Sequence, residues 1–587
     1  MLLASLLGVI VGSAIAFLPY SQLKSVLDYL TVDGNLESFT PGIAGVLRQP
    51  GLVGFIVSLL IAGLSLIGKR HMLTWMSQIG PYSDQLLSYR KAEIKELWKA
   101  VGIFETDHRI VILLATITLL AALIRIPYLW RPMGHDEAYT FIAFASRGLR
   151  VTMTDYHLPN NHVFHTILVF IAYRLFGDSP AAIRLPAFLA GALVVPASFV
   201  AAKIFFDKAT GLISASILAS IPVLIDYSTN ARSYSLIALL FLVLVIVAAY
   251  IKDHVNLIAW VILVVISSVG MYANPTMAYP IGVVFCWLLI CAFFYRIDPA
   301  YGNRIYLYLF LSVISIGLIS GLLYTPIILY SGVQSLVGNN VIAGLTWSDF
   351  FESVPVRIRN TWNEWYREIP SYWKSIGLFG LAASIFLPFA KRQQPTLLLP
   401  AAAISIGAAL LVQRVAPWPR VWLFLLPLIT IWIVAGLLGL FRLILGKATT
   451  GGLVLAVLTI VAVLSPLSAS TARSYDYFVT KTNSMGEIEE AAVFLSEFLE
   501  QGDVVVVTSP DTVILDYYLR RRGIDRDYLD ISDTRLFRRA IILVNSGYSQ
   551  TLESVLIDRS FEENVDIRIA QLVYQSNRIT LYLIPGS

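Results

Sequence analysis

Two carboxylates stand side by side in Gly134-His135-Asp136-Glu137-Ala138-Tyr139, just past an apolar run from Ile110 to Leu129. Desolvating a charge at the rim of a bilayer is costly, so an acidic pair there calls for a reason. One reason is local. Gly134-His135-Asp136 precedes an apolar-periodic run (Ala138, Phe141, Ile142, Phe144, Ala145), and acidic groups complement the positive end of a helix. The other reason is chemical: a carboxylate fixed by a helix start can act as general base toward an acceptor hydroxyl. The two are compatible, because a cap also fixes the carboxylate that reacts. Asp136 and Glu137 are the candidate catalytic residues, with His135 and Tyr139 beside them as candidate substrate contacts.

Further along, Leu158-Pro159-Asn160-Asn161-His162-Val163-Phe164-His165-Thr166 sets two histidines three residues apart. On a helix His162 and His165 share a face and can ligate a divalent metal together; interfacial histidines without a metal are the simpler alternative. His135 and His157 belong to the same loop. Asn160, Asn161 and His162 are candidate substrate contacts. Arg147, Arg184, Arg232, Arg414 and Arg420 come from separate segments of the chain. Guanidinium groups suit phosphate through paired hydrogen bonds, although any one of them can equally snorkel to lipid headgroups. The stretch Ser331 to Trp373 holds Trp347, Trp362, Trp365, Tyr366, Tyr372 and Trp373 with Arg357, Arg359 and Arg367. It reads either as an interfacial aromatic belt or as a mobile cover whose rings stack on sugar faces.

These groups need a frame, and the composition says what it is. Of 587 residues, 57% are hydrophobic and only 14% charged, against roughly a quarter charged in a soluble domain. About 13 apolar spans approach the ~17–25 residues that cross a bilayer. They run from Leu2–Leu18 and Leu52–Ile67, through Ile110–Leu129, Leu185–Phe206 and Gly211–Ile225, to Val421–Phe441 and Leu453–Leu467. The net charge of +5 sets orientation and implies no nucleic-acid partner. Lys69, Arg70, Arg90, Lys91, Lys95, Lys99 and Arg109 fall between the second and third spans, which makes that segment cytoplasmic and the acidic pair external. The alternation holds if Val163–Phe176 lies along the outer surface as an interfacial helix. Ionisable groups are almost confined to the ends of the spans, which argues against ion-coupled transport. Cys286 and Cys291 share one span and offer neither a disulfide framework nor a thiolate metal site. Met1 to Leu18 resembles a signal h-region ending near Ala14-Ile15-Ala16, but it lacks a charged n-region and reads as a retained helix.

Four regions follow. Residues 1–68 form a two-helix membrane addition and 69–109 a cytoplasmic amphipathic linker. Residues 110–467 form the catalytic membrane domain, including an outer loop with interfacial helices (131–182) and the aromatic loop (331–373). Residues 468–587 form an α/β domain with a helix over Glu487–Gln501 and strands over Asp503–Thr508, Ile541–Asn545, Asp566–Val573 and Ile579–Ile584.

Several of these pieces together resemble a known group. The acidic pair, the Asn/His-containing interfacial helix, Leu175-Phe176-Gly177-Asp178-Ser179-Pro180-Ala181-Ala182-Ile183-Arg184-Leu185-Pro186 and Asn230-Ala231-Arg232-Ser233-Tyr234 are similar to the bacterial protein O-mannosyltransferase-like family. These are GT-C fold glycosyltransferases, related also to aminoarabinose transferases, and the likeness covers about Ile110 to Leu467. It implies an inverting transfer of a sugar from a polyprenyl-phosphate donor to an acceptor hydroxyl at the outer membrane face. By the family pattern Asp136 matches the base, Arg232 and Tyr234 the Ala-Arg-x-Tyr element, and Pro419-Arg420 the stretch before a late helix. Arg232 and Arg420 then become donor-phosphate contacts, with Arg414 a further substrate-binding candidate. The chain departs from the pattern at Val421, where relatives have Tyr, and at Pro159-Asn160-Asn161-His162, where they have His-Pro-Pro or Lys-Pro. The two N-terminal spans are additional to the pattern.

The reading is thus a polytopic α-helical glycosyltransferase of the bacterial inner membrane, with its site and C-terminal α/β domain extracytoplasmic. Its partners are a polyprenyl-phosphate sugar, the bilayer, and a lipid, polysaccharide or protein acceptor. No cofactor is required, and a divalent metal on His162 and His165 stays open. The rivals are a flippase or transporter of lipid-linked sugars, a non-catalytic envelope assembly protein, and another lipid-linked enzyme such as an O-antigen ligase.

Overall fold

Lipid forces every backbone polar group to find its partner within the chain, so the apolar runs become helices. The computed structural model describes residues 2–29, parts of 40–59, 88–99, 102, 107–294, 299–337, 344–367, 369, 371–386, 397–445, 483–529 and 537–586. Among the described residues, six helices are long and apolar enough to cross a membrane: His108–Leu129, Pro180–Phe205, Tyr234–Ile251, Pro275–Phe294, Arg304–Tyr330 and Pro419–Leu443. The chain is an integral membrane protein. The expected span Leu453–Leu467 and most of Leu52–Ile67 lie outside the described residues. Helix Val163–Phe176 has 14 residues, about 21 Å of rise, short of the ~30 Å hydrocarbon core.

One expected span is corrected. Gly211–Ile225 is not a continuous crossing but a pair of helices, Lys208–Ser220 and Pro222–Ser228, bent by 64°. Pro222 has no N–H to give the carbonyl four residues back. That carbonyl, Leu218 O, accepts instead from Arg125 Nη2 at 3.3 Å, and Ala219 O accepts from Nη1 at 2.7 Å. Arg125 is fully buried, and it satisfies the groups that the proline frees.

The aromatic loop also folds further than expected: Trp347–Trp365 is a 19-residue helix, capped where the Thr346 side chain accepts from Asp349 N at 3.2 Å.

The C-terminal domain carries a four-stranded sheet, β1 (Asp503–Val506), β2 (Arg539–Asn545), β3 (Gln571–Gln575) and β4 (Ile579–Pro585), in the order β1-β2-β4-β3. β1 and β2 are parallel, and β4 runs antiparallel to both β2 and β3. The third strand is shorter than the expected Asp566–Val573, because Ile567–Ile569 forms a 3₁₀ turn. This domain does not hang free. Its helix Asp511–Arg521 packs on the acidic helix His135–Ala143, with Phe141 and Tyr517 edge to face at 5.8 Å. Met133 N donates to Tyr518 Oη at 2.9 Å, and Tyr517 Oη donates to Asp178 O at 2.7 Å. Met133, Ala138, Phe141 and Ile142 share one buried cluster with Leu515, Tyr517 and Tyr518.

Helices Ser371–Phe386 and Leu425–Leu445 meet through small residues, as membrane helices do where backbones approach closely. A Cβ on Gly436 would lie 1.9 Å from Gly380 O. Gly436→Ala therefore forces these helices apart and costs about 1–3 kcal/mol. We expect a lowered melting temperature in detergent, while a change at the open Gly407 leaves it unaltered.

Candidate active site

The site is built around helix His135–Ala143. Its first turn carries both carboxylates, and consecutive residues on a helix point about 100° apart. They therefore meet different surroundings. Glu137 turns inward, with its side chain 1% exposed against Arg184 at 0%. Arg184 Nε donates to Oε2 at 2.9 Å, and Nη2 donates to Oε1. Gly134 N donates to Oε1 at 2.8 Å and Ala231 N to Oε2 at 3.0 Å. Burial would push this carboxyl up, but the charge and hydrogen bonds of Arg184, aided by Arg131 and the Gly134 amide, outweigh it and hold it below the ordinary range. Glu137 is thus an ionised anchor that reaches back over its own helix start, as in a capping box. Asp136 turns outward, 41% exposed, with Arg420 Nη1 3.4 Å from Oδ2.

Most of the other expected contacts are spent inside the protein. Arg184 also donates to Leu129 O, Arg131 O and Pro132 O, which leaves it nothing for a ligand. Arg232 is 4% exposed. It donates to Thr140 Oγ1 at 3.0 Å, to Asn160 O at 2.9 Å and to Asn160 Oδ1, with Nη2 3.2 Å from His162 Nε2. Asn160 Nδ2 donates onward to Asp136 O at 3.1 Å. Asn161 is buried and braces the loop through Thr152 O and Asp155 O. Tyr234 lies edge to face with His162 at 5.4 Å. Arg414 closes helix Leu398–Gln413 with φ 51°, and its guanidinium lies 5.7 Å from the Trp347 ring. Arg147 is exposed.

The histidine pair does not make a metal centre. His162 Nδ1 faces Ser233 Oγ at 2.9 Å, and Nε2 faces the donors Arg232 Nη2 and Asn274 Nδ2, the latter at 3.0 Å. Burial, the Arg232 charge and His165 hold His162 well below the usual imidazole range. His165 has no exposed surface and no partner at either ring nitrogen among the described residues, and burial with Arg232 lowers it to about 3. Among the described residues no three His, Cys, Asp or Glu side chains gather to hold a metal ion. His162 is the cap that precedes helix Val163–Phe176 and His165 lies in its first turn, and the neighbour of His162 is a cation and not a third ligand.

Beyond Arg420 opens a cavity of about 570 Å³ lined by Tyr227, Arg357, Asn360, Asn363, Glu364, Arg367, Trp418, Pro419 and Arg420. Arg357 stacks 3.8 Å over Trp418, and it also lines a second, apolar groove of about 260 Å³ with Val354, Ile358, Trp362, Trp365, Leu410 and Trp422. Of these cavity residues Arg420 is a candidate from the sequence and Arg357 and Arg367 are named there only with the aromatic loop, whereas Asn360, Asn363 and Glu364 are not named, yet a signal existed. Arg357, Asn360, Glu364 and Arg367 recur at helical spacing on one stripe of Trp347–Trp365 and its end, and Val354, Ile358, Thr361 and Trp365 recur on another.

Residues 163–324 match the family model described as dolichyl-phosphate-mannose-protein mannosyltransferase. Among solved structures, ArnT from Cupriavidus metallidurans in the apo state is similar at 13% identity and a TM-score of 0.51, covering 81% of this chain and 97% of that one. ArnT from the same organism bound to undecaprenyl phosphate gives 14% and 0.49, with 81% and 98% covered. The oligosaccharyltransferase of Archaeoglobus fulgidus in the apo form gives 13% and 0.48, with 81% and 74% covered. The first likeness shows the fold: the chain has the GT-C architecture expected from its sequence. No curated protein matches.

The buried neutral His165 makes stability depend on pH. Its pKa of about 3 lies below the unfolded value of about 6.5, so the unfolded chain binds the proton first. Stability is whole above the unfolded value and falls as pH drops from there toward 3. One such group removes about 2 kcal/mol between pH 6.5 and 5. Melting curves should show this acid limb, and His165→Leu should make it shallower.

Proposed function

We propose that this chain is an inverting glycosyltransferase that moves a sugar from a polyprenyl-phosphate donor to an acceptor hydroxyl at the extracytoplasmic face. The observation that carries the reading is a cavity with three guanidinium groups, opening beside an exposed carboxylate and adjoining an apolar groove. A lipid-linked sugar phosphate is amphipathic in that same order. Its prenyl tail suits the groove, its phosphate suits Arg357, Arg367 and Arg420, and its sugar then lies toward Asp136. The matched family favours the same chemistry, since it is named for a dolichyl-phosphate-mannose donor.

The chemistry needs few parts. Asp136 accepts a hydrogen bond from the acceptor hydroxyl and takes its proton as the oxygen attacks the anomeric carbon. The bond to phosphate oxygen breaks on the opposite face, which inverts the anomeric centre. The departing phosphate is already a good leaving group, and the three arginines neutralise the charge it gains. Glu137 serves by fixing the helix that carries Asp136, and Arg232 by fixing Asn160 and Thr140 against the same helix. Asn160, Asn161 and His162 act as scaffold of this wall.

The rival readings ask for other features. A transporter would have no use for a positioned carboxylate outside the spans, and an assembly protein none for a cationic cavity beside it. Asp136→Asn should reduce transfer by roughly 10²- to 10⁴-fold while leaving the melting temperature unchanged. Arg357→Ala and Arg367→Ala should each weaken binding of undecaprenyl phosphate by about tenfold. Both effects are readable on the full chain in lipid nanodiscs, and full transfer by Asp136→Asn would remove that residue from the mechanism.

A further inference from the structure

The polar side of the acidic helix has an order. At 100° per residue, His135, Tyr139, Asp136 and Thr140 follow one another around its circumference at about 0°, 40°, 100° and 140°. Thr140 faces Asn160 and Arg232, and Asp136 faces Arg420 and the cationic cavity. The other end of the stripe, Tyr139 and His135, faces away from that cavity toward residues 155–157 and the C-terminal domain.

Each of these two side chains is oriented by a hydrogen bond that decides which atom it offers. His135 Nδ1 lies 2.9 Å from Pro510 O. A carbonyl can only accept, so Nδ1 carries the hydrogen and, in the neutral ring, Nε2 carries the lone pair. Tyr139 Oη lies 2.7 Å from His157 Nε2, and His157 Nδ1 lies 2.6 Å from Asp155 Oδ1. The carboxylate fixes the hydrogen on Nδ1 and leaves Nε2 to accept from the phenol, the logic by which an aspartate orients a catalytic histidine. Burial and the Asp155 charge push the phenol up, with Arg526 opposing, so Tyr139 stays protonated and its oxygen keeps the capacity to accept. The rings of His135 and Tyr139 lie 6.3 Å apart, and those of Tyr139 and His157 6.0 Å.

We propose that the seam between helix His135–Ala143 and the C-terminal domain is the acceptor subsite, and that it takes the hydroxyl row of a saccharide. The proposal rests on the transferase reading and extends it to the second substrate. An inverting displacement brings the nucleophile from the side opposite the phosphate, and this seam is the side of Asp136 that lies away from the cationic cavity. His135 Nε2, Tyr139 Oη and an Asp136 carboxylate oxygen present three acceptors in a row. Neighbouring hydroxyls on a sugar ring supply three donors in a row, whereas a serine or threonine side chain supplies one. One hydroxyl donates to Asp136 and attacks, and its neighbours donate to Tyr139 and His135 and set the ring's register. His157 and Asp155 are positioning residues that act through Tyr139, and Pro510 acts likewise through His135. The C-terminal domain is then a wall of the site, which agrees with its buried contact with Met133 and Phe141.

The test uses the full chain in nanodiscs that contain undecaprenyl phosphate. Wild type, Tyr139→Phe, His135→Ala and His157→Gln are passed over arrayed bacterial polysaccharide fragments and serine/threonine peptides. Wild type should be retained on saccharide, and each variant should lose retention about fivefold to tenfold, the worth of one hydrogen bond to a hydroxyl. Undecaprenyl phosphate should remain bound throughout, and the melting temperatures should stay close to wild type. Retention on peptides instead, retention on neither, or saccharide retention undiminished in Tyr139→Phe would overturn the acceptor assignment. Failure of the wild type to bind undecaprenyl phosphate would instead overturn the donor reading on which it rests.

Discussion

The Glu137 carboxylate, buried against Arg184, fixes the geometry around which the outer face is arranged. Taking two charges out of water costs several kcal/mol per ion, and their attraction offsets this only when the remaining lone pairs and protons are matched. Here they are. Glu137 accepts from Gly134 and Ala231, and Arg184 gives its remaining donors to carbonyls at residues 129, 131 and 132. One ion pair thereby joins the end of the span His108–Leu129, the start of the acidic helix, the first turns of Pro180–Phe205 and the turn before Tyr234–Ile251. The exposed neighbour follows from this arrangement. Once Glu137 is fixed inward, the helix geometry leaves Asp136 no course but outward.

The arginines divide in the same way. An outer face rich in guanidinium groups suggests phosphate from sequence, but a guanidinium with five donors can equally organise backbone carbonyls. Arg184, Arg232 and Arg125 do the latter, each buried and each bonded to main chain. Arg420 remains half-exposed, and its companions in the cavity are Arg357 and Arg367 from the amphipathic helix. Burial separates the two uses. A cation sealed in protein positions other groups, whereas a cation lining an open cavity is placed to meet an anion.

Much of the fold was legible because membrane helices announce themselves by length and hydropathy, and because the strands of the C-terminal domain alternate with turn residues. The acidic pair stood out because two adjacent charges at a bilayer rim need a reason, and for Glu137 that reason is local: it caps its own helix and pairs with Arg184. What could not be read were relations between segments distant in sequence. The broken span needed Arg125 as much as Pro222, and nothing local in Gly211–Ile225 says that a guanidinium from another helix will satisfy the freed carbonyls. The partner of Glu137 lies 47 residues away, and that of Met133 N lies 385 away. The sequence puts His162 and His165 on one helix face, but His162 is the cap before helix Val163–Phe176, and the cation facing it comes from Arg232. The aromatic residues around Arg357 and Arg367 suggest an interfacial belt or a mobile cover, and both readings treat the stretch as a loop. Read with a period of 3.6, the arginines already share a stripe.

The amphipathic helix Trp347–Trp365 also constrains how a transferase of this kind can be ordered in space. Its apolar stripe walls the groove and its polar stripe walls the cationic cavity, with Arg357 at the boundary, stacked on Trp418. Under the proposed reading a lipid-linked donor places its tail in the groove and its phosphate in the cavity, because three guanidinium groups line the cavity while the groove shares only Arg357. The scissile bond lies one atom beyond the phosphate. A base that assists an in-line attack must therefore stand past the cavity on the side away from the groove, and among the described carboxylates Asp136 is bonded to the cavity's own Arg420 at that border. Under the proposed reading, groove, cavity and carboxylate follow the substrate's own order of tail, phosphate and sugar.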